Sequence, residues 1–293
     1  MAGQLKEVRN RIKSVQSTQQ ITKAMKMVSA AKLRRAQDAI IQMRPYAKKL
    51  QEMLSNIVSN SEGGLGMELA VERPIEKVLF IVITSDRGLA GAFNANIIKL
   101  AKATIAERYA AQHKKGNVTI WNIGKKGYEY FIKNNYNADA TYKDIFLALT
   151  FENVHKAAQA AMKAFEEKQF DAVELVYSQF RNAATQRFEV ERFLPIPKVA
   201  NKAGASKADF IFDPSQEELV KELMPKILNT QLYKAVLDSN ASEHGARMTA
   251  MDKASENANE LLRALKISYN RARQAAITTE LTEIVSGAAA LQG

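Results

Sequence analysis

Two glycine-bearing loops are the segments of this chain whose residue types could do chemistry. Residues 84–94 (TSDRGLAGAFN) follow a strongly apolar run, and residues 124–127 (GKKG) follow a second predicted strand. A glycine-rich turn between a strand and a helix can hold a phosphate on its backbone amides. The spacing matches neither the dinucleotide pattern GxGxxG nor the P-loop GxxxxGK followed by Ser or Thr. We therefore favour tight strand-to-helix turns, with a small α/β enzyme that binds a ligand at residues 85–91 as the alternative.

No other set of side chains has the spacing of a catalytic or metal site. The chain has no cysteine, and its three histidines, His113, His155 and His244, are scattered. Thiolate chemistry, disulfides and zinc sites are thereby excluded as predictions. The acidic pairs at 166–167 and 217–218 are typical of solvated helix faces. The sequence predicts no catalytic residue, no metal and no cofactor.

The composition is that of a folded protein of one or two domains. The chain has 293 residues, of which 46% are hydrophobic and 25% charged. No window approaches the roughly 18–20 apolar residues of a membrane span, and the first residues lack the apolar core of a signal peptide. We expect the chain to stay in the compartment where it is made.

Positive charge is concentrated at the N-terminal end. The chain carries 42 Lys and Arg against 31 Asp and Glu, a net charge of +11, and residues 1–44 account for +8 of it. Clustered basic side chains on a helix can bind nucleic acid. No aromatic residue that could stack on bases precedes Tyr46. An acidic protein surface is therefore the favoured partner, and a nucleic-acid-binding coiled coil is the alternative.

The two ends of the chain are predicted to form two long helices, which would position the residues at these ends. Between residues 4 and 62 the only Gly or Pro is Pro45, and between 215 and 286 only Pro225 and Gly245 occur. Helices of about 55 and 70 residues would span roughly 80 and 105 Å, which exceeds the roughly 50 Å of a compact chain of this size. We expect them to pair with each other, antiparallel, with the longer C-terminal helix overhanging.

Heptad spacing supports this pairing at both ends. In the last helix, one register runs through Met248, Met251, Ser255, Ala258, Leu262, Leu265, Tyr269, Ala272, Ala276 and Thr279. In the first helix, an apolar seam runs from Leu5 to Val15 and resumes from Leu33 to Ile57. Between these stretches Gln19, Thr22, Lys26 and Ser29 occupy the seam positions, while Ile21, Met25 and Val28 carry the apolar face. The pattern predicts that the seam slips there.

The middle of the chain has a β-α-β-α-β pattern. Strands are predicted at 78–83, 118–123, 173–177 and 188–193, with amphipathic helices at 94–112 and 152–168. The unbroken apolar run at 78–83 is typical of a strand buried on both faces of a parallel sheet. We therefore predict a Rossmann-like α/β domain inserted in a coiled coil, with domain limits 1–60, 74–212 and 213–293.

The C-terminal tip is apolar although it should overhang. From residue 275 to residue 291 the only charged side chains are Glu280 and Glu283. An apolar, small-residue helix end is typical of a segment that sits in a socket made by other chains.

Three segments resemble the gamma subunit of F-type ATP synthases. Residues 21–37 (ITKAMKMVSAAKLRRAQ) are similar to that family's N-terminal helix, and residues 85–91 (SDRGLAG) to the loop after its first strand. Residues 272–291 (ARQAAITTELTEIVSGAAAL) are similar to its C-terminal signature. The resemblance runs over the whole chain, with one departure at Ala90, where many members carry cysteine. The absence of a cysteine-bearing insert and of a transit peptide favours a bacterial member.

The resemblance implies a rotor without a catalytic site of its own. The coiled coil would turn inside a hexamer of three alpha and three beta subunits, and the α/β domain would contact the epsilon subunit and the c-subunit ring. Ion flow through the membrane sector would thereby be coupled to ATP synthesis or hydrolysis, at the cytoplasmic face of the bacterial inner membrane. By position, the family's contacts to the beta subunits fall on Arg273, Gln274, Thr278, Glu280, Lys23, Met25 and Lys26.

Overall fold

The computed structural model describes residues 2–60, 68–183, 185–196 and 216–292. Contacts divide the chain into two units, one of Met1–Ser29 with Met248–Gly293 and one of Ala30–Arg247. Helix α1 (Ala2–Asn60) and helix α6 (Gln216–Gln292) each contribute to both units. The parts of the predicted domains at 1, 184, 197–215 and 293 lie outside the described residues, as do the seam side chains of Leu54 and Ile57.

In the first unit, the start of α1 pairs antiparallel with the end of α6. Arg9 donates to the Tyr269 hydroxyl over 2.9 Å, and Lys26 reaches Asp252 at 2.5 Å. Residue numbers rise along α1 as they fall along α6, which confirms the predicted direction. The predicted register of α6 is also confirmed, since every one of its ten positions is buried or half-buried while most of their neighbours are exposed.

The predicted slip of the α1 seam is wrong. Thr22 and Ser29 are buried, whereas Ile21 and Val28 are 59% and 57% exposed. The polar residues remain on the side facing α6 because α6 offers them polar partners. Thr22 lies 2.7 Å from the Ser255 hydroxyl, and Gln19 donates to Asn259. One register therefore continues through this stretch, and the apolar side chains beside it are left in solvent.

The end of α6 overhangs α1, as expected. Arg9 lies opposite Tyr269 and α1 begins at Ala2, so the start of α1 falls opposite Ala276. Helix α6 continues to Gln292, and all of residues 280–291 are exposed.

The second unit contains a five-stranded sheet in the order β3-β2-β1-β4-β5. The strands are β1 (Val78–Ile83), β2 (Val118–Ile123), β3 (Asn137–Asp139), β4 (Ala172–Phe180) and β5 (Gln186–Leu194). The connecting helices are α2 (Phe93–Arg108), α3 (Ala110–Lys114), α4 (Lys125–Lys133) and α5 (Phe151–Glu166). All neighbouring strands are parallel except β4 and β5, which are antiparallel.

Strand β1 lies at the centre of the sheet with all six residues buried. Phe80 and Val82 belong to a core shared with α2 and α4. Leu79, Ile81 and Ile83 belong to a second core shared with α5 and with residues of α6. The apolar run at 78–83 is thus a doubly covered strand, as its pattern predicted.

Helix α4 and strand β3 were not predicted from the sequence. Strand β3 has only three residues, none of them buried, so it carries no apolar pattern. Helix α4 is short and begins inside the GKKG segment, which had been interpreted only as a turn. The predicted helix at 94–112 is interrupted at Tyr109, which lies between α2 and α3 with its side chain buried.

Candidate functional site

The predicted contact residues on α6 lie on its outward surface in the first unit. Arg273, Gln274, Thr278 and Glu280 are all exposed. Arg273 and Glu280 are seven residues apart and share one face, while Gln274 and Thr278 are four apart and share another. The Thr278 hydroxyl donates to the Gln274 carbonyl at 3.0 Å, so it adds a constraint to the helix and still presents its oxygen outward.

Apolar side chains lie between these polar positions. Ile277, Leu281 and Ile284 are spaced by four and three residues on one face of α6, and they are 48%, 57% and 68% exposed. Contact between water and such an apolar strip is unfavourable. A large exposed apolar patch is therefore typical of a protein interface. The end of α6 therefore presents an apolar strip bordered by Arg273 and Glu280 on one side and by Gln274 and Thr278 on the other.

The predicted contact residues on α1 are arranged differently. Lys23 is exposed, whereas Met25 and Lys26 are half-buried. Lys26 is engaged within the first unit, because its Nζ contacts the Asp252 carboxylate. Met25 lies between the exposed side chains of Ile21 and Val28 along one side of α1, although it is itself half-buried. On α1 the available surface is thus Lys23 and an apolar stripe, with Lys26 shared with α6.

The two groups of predicted contact residues are not brought together. Lys26 faces Asp252, and Asp252 precedes Arg273 by 21 residues on α6. At 1.5 Å per residue, the two groups lie about 30 Å apart along the helix pair. The first unit therefore carries the two groups of predicted contact residues at two separate levels of one coiled coil.

The glycine-bearing loop after β1 is held by a buried ion pair of α6 in the second unit. Arg247 Nη2 donates to the carbonyl oxygens of Arg87 at 2.9 Å and Gly88 at 3.1 Å. Arg247 is also paired with Glu243, and both side chains are about 90% buried, with exposures of 10% and 9%. The carbonyl groups of the loop are thereby fixed on a side chain of α6. The loop is a clamped turn, as its spacing indicated.

Helix α6 also occupies the place where doubly wound sheets hold their ligands. Ligands of such folds bind at the carboxyl ends of the strands, where the strand order reverses. In this chain that point lies between β1 and β4. Ser239 accepts a hydrogen bond from the Ser178 amide at 3.0 Å, and Ser242 donates to the Ser178 carbonyl at 3.3 Å. Gly245 approaches the turn after β4 so closely that an added Cβ would lie 3.2 Å from Ala183.

Burial shifts the titration of the groups around this clamp. It raises the pKa of Glu243, an effect that the Arg247 guanidinium partly offsets. Burial, with smaller effects of Arg247 and Lys32, lowers the pKa of His244 to about 4. Burial also raises the pKa of Asp86, whose carboxylate accepts a hydrogen bond from the Lys125 amide at 3.2 Å. A raised carboxyl pKa in a cleft is a feature of active sites, but here α6 fills the cleft.

The second glycine-bearing loop has a packing explanation. Gly124 has φ of +102°, and the Gly127 amide donates to Thr84 Oγ1 at 2.9 Å. A Cβ on Gly127 would approach that oxygen to 2.9 Å, below the distance that real Cβ atoms adopt. These glycines let the ends of β1 and β2 and the start of α4 pack closely.

Sequence reasoning missed the clamp formed by Glu243 and Arg247. Their spacing of four residues on a helix was a signal for an ion pair, but their burial depends on the position of the β1 loop.

Among the described residues, no group of three His, Asp or Glu side chains could hold a metal ion. No helix in the described part of the chain is long and apolar enough to cross a membrane.

Comparison with known proteins extends over nearly the whole chain. A family model described as ATP synthase matches residues 4–291. The ATP synthase gamma chain of Cytophaga hutchinsonii is 55% identical over 290 residues, which cover 98% of each chain. That of Chlorobaculum tepidum is 50% identical over 288 residues, covering 98% of this chain and 99% of the relative.

Solved structures have a similar fold. The rotor of the Euglena gracilis mitochondrial ATP synthase in rotational state 1 matches 94% of this chain and 100% of its own, with a TM-score of 0.64 at 20% identity. A chain from the OSCP/F1/c-ring structure of the same enzyme in rotational state 3 matches 99% of this chain and 95% of its own, with a TM-score of 0.66 at 19% identity. At these identities the likeness is one of fold.

Proposed function

The chain belongs to the ATP synthase gamma chain family, and from this premise we propose that it is the central-stalk rotor subunit of an F-type ATP synthase. In this function the chain has no catalytic site of its own. It couples ion flow through the membrane sector to ATP synthesis or hydrolysis at the beta subunits. Its partners are the alpha and beta subunits, the epsilon subunit and the ring of c subunits.

The observation that carries the proposal is the outward surface of the α6 overhang. A shaft can drive its surroundings only if the contact free energy changes with its orientation. The strip of Ile277, Leu281 and Ile284 lies on one side of α6, with different polar residues on its two borders. Rotation of such an asymmetric helix presents an apolar, a charged or an amide face in turn to each of three surrounding subunits.

We propose Arg273, Gln274, Thr278 and Glu280 as the upper contact group for the beta subunits, and Lys23, Met25 and Lys26 as the lower group. The exposure of the upper group supports this assignment. In the lower group Lys23 is the exposed cation. Lys26 would contact the beta subunits while it is paired with Asp252. The net charge of +8 on residues 1–44 suits acidic loops on the surrounding subunits.

The test of these contacts is the double substitution Arg273→Ala with Gln274→Ala in assembled complexes. We expect slower coupled ATP synthesis and unchanged helicity of the isolated chain, since neither side chain packs on α1. Arg108→Ala with Gln159→Ala is the matched control, because it removes the same side-chain types from exposed positions in the second unit. Wild-type synthesis rates in the first variant would overturn the contact assignment.

Assembly itself is tested by purification from the organism's own membranes. Recovery of the chain together with alpha and beta subunits and with ATPase activity supports the rotor. Recovery as a free monomer would contradict it. Salt-sensitive binding of DNA or RNA by the purified chain would instead favour the nucleic-acid-binding alternative.

The location and the domain limits are also proposals. We place the chain as a peripheral protein on the cytoplasmic face of the bacterial inner membrane, held there by the c-subunit ring. Fractionation followed by a carbonate wash should release it from membranes without detergent.

The domain limits 1–60, 74–212 and 213–293 predict that mild proteolysis cuts the chain first between residues 60 and 74 and near residue 212. Early cuts within the sheet would contradict these limits.

A further inference from the structure

Positive charge is also concentrated within one part of the second unit. Residues 93–133, which contain α2, α3, β2 and α4, carry eight Lys or Arg and two Glu, a net charge of +6. The whole stretch 45–241 has a net charge of only +3, so the remainder of that stretch is net acidic. The positive charge is therefore confined to residues 93–133, and the small net charge of residues 45–241 as a whole does not reveal it.

Part of this charge surrounds a groove between α2 and α4. The groove has a volume of about 450 Å³, and its lining includes Lys99 and Lys102 of α2 and Lys126 of α4. Lys99 and Lys102 are exposed, and Lys126 is half-buried. The apolar part of the lining comes from Ile98, which is buried, and from the half-buried ring of Tyr130. The groove thus has an apolar floor and a rim of three ammonium groups.

Contacts within the chain pair one of the three rim charges with a carboxylate. Lys126 Nζ lies 2.6 Å from the Glu129 carboxylate. Lys102 Nζ donates to the Tyr130 hydroxyl at 3.1 Å, and a phenol leaves the charge of the lysine in place. Three like charges around one depression repel each other, and an anionic occupant would relieve that repulsion.

We propose that this groove docks an acidic segment of a partner protein, in which Asp or Glu residues flank one aromatic or aliphatic side chain. The carboxylates would pair with Lys99, Lys102 and Lys126, and the apolar side chain would fill the floor over Ile98 and Tyr130. A recessed apolar floor suits an inserted side chain better than it suits a membrane, which would be met by protruding apolar residues. A partner bound here must turn with the chain or hold it still.

The first test uses the full chain alone, so its outcome does not depend on the proposed function. The probe is a fluorescein-labelled peptide Glu-Glu-Phe-Glu-Glu, followed by anisotropy at low salt. We expect saturable binding that the triple variant Lys99→Glu, Lys102→Glu, Lys126→Glu weakens about tenfold or more, from roughly 0.5 kcal/mol for each exposed pair. The matched control Lys114→Glu, Lys115→Glu, Lys133→Glu changes the net charge equally outside the groove and should alter affinity by less than about twofold.

Three results would overturn the docking groove. They are the absence of saturable peptide binding, an equal loss of binding in both triple variants, and binding to phosphatidylglycerol vesicles without binding to the peptide. Circular dichroism of each variant verifies that it is folded.

A second test needs no substitution. A carbodiimide joins an amine directly to a carboxylate that is in contact with it, so it suits this pairing. When the complex purified from its own membranes is treated in this way and digested, we expect Lys99, Lys102 or Lys126 to be joined to an Asp or Glu of another chain. Links from these lysines only to Glu129, alongside intersubunit links from other lysines of the chain, would contradict the proposal.

Discussion

At the scale of single residues, the buried polar groups of α6 define how the second unit responds to mutation. Glu243, His244 and Arg247 lie within five consecutive positions, and all three are less than a tenth exposed. Burying a charge without a partner costs several kcal/mol, whereas a paired charge costs far less. Arg247 satisfies both Glu243 and the carbonyls of the β1 loop, so one side chain stabilises two elements.

Removing Arg247 should therefore be strongly destabilising. We expect Arg247→Ala to lower the free energy of unfolding at pH 7 by about 3–5 kcal/mol, because Glu243 is left buried and unpaired. Adding Glu243→Gln should restore part of the loss, since a neutral amide needs no counter-charge. Urea unfolding of the full chain measures both changes. A loss below about 1 kcal/mol in the single variant would show that the clamp contributes little.

His244 makes stability fall in mild acid. Its pKa is about 4 in the folded chain against an ordinary value of 6.5. As the pH falls below about 6.5 the unfolded chain gains a proton that the folded chain does not, so stability is lost until about pH 4. The full effect is about 3 kcal/mol. The raised pKa of Glu243 acts in the opposite direction.

The measurement for His244 is urea unfolding of the full chain at several pH values between 4 and 7. His244→Gln should have a flatter pH dependence than the wild type. His113→Gln, at an exposed position, is the control. Parallel curves for the wild type and His244→Gln would contradict the assignment.

At the scale of elements, the helix pair shows what pattern can and cannot predict. The α6 register was predicted position by position because its seam residues are apolar or small. The α1 seam was misjudged where Thr22 and Lys26 replace apolar residues, because their partners Ser255 and Asp252 are some 230 positions away in sequence. Periodicity of one helix contains no information about its partner's side chains, so a polar layer resembles a slip.

The sheet shows the same limit. Strands β1 and β2 were predicted to the residue. The apolar run of β1 reflects burial on both faces, whereas the first four residues of β2 alternate between buried and half-buried. The site was predicted less completely than the fold. Glycine spacing argued against a nucleotide loop, but it contained no sign that Ser239, Ser242 and Arg247 fill the crevice, because that depends on the tertiary placement of α6.

The polar layer of the coiled coil should be replaceable by an apolar one. Thr22 and Ser255 are both buried, and removing both hydroxyls leaves no unpaired partner between them. We expect Thr22→Leu with Ser255→Ala to raise the free energy of unfolding by about 1–2 kcal/mol through added apolar burial. Gln20→Leu, on the exposed side of α1, should give no such gain. Helical circular dichroism during urea unfolding measures both, and a destabilised double variant would contradict the packing argument.

At the scale of the whole molecule, a rotor subunit must move as one body, so its two paired helices should not need to shift against each other. The Thr22 and Ser255 hydroxyls lie 2.7 Å apart, which makes these positions suitable for a disulfide. The chain has no cysteine of its own. Thr22→Cys with Ser255→Cys would therefore introduce the chain's only two thiols, and oxidation would lock α1 to α6.

Because both helices would rotate together, we expect the oxidised variant to retain coupled ATP synthesis in assembled complexes at the rate of its reduced form. The formation of the disulfide is verified by the altered mobility of the unreduced chain on a denaturing gel. Thr22→Cys alone controls for oxidation elsewhere in the complex. A loss of synthesis that reductant reverses would mean that α1 and α6 move relative to each other during each turn, and the contact free energy would then depend on the conformation of the shaft as well as on its orientation.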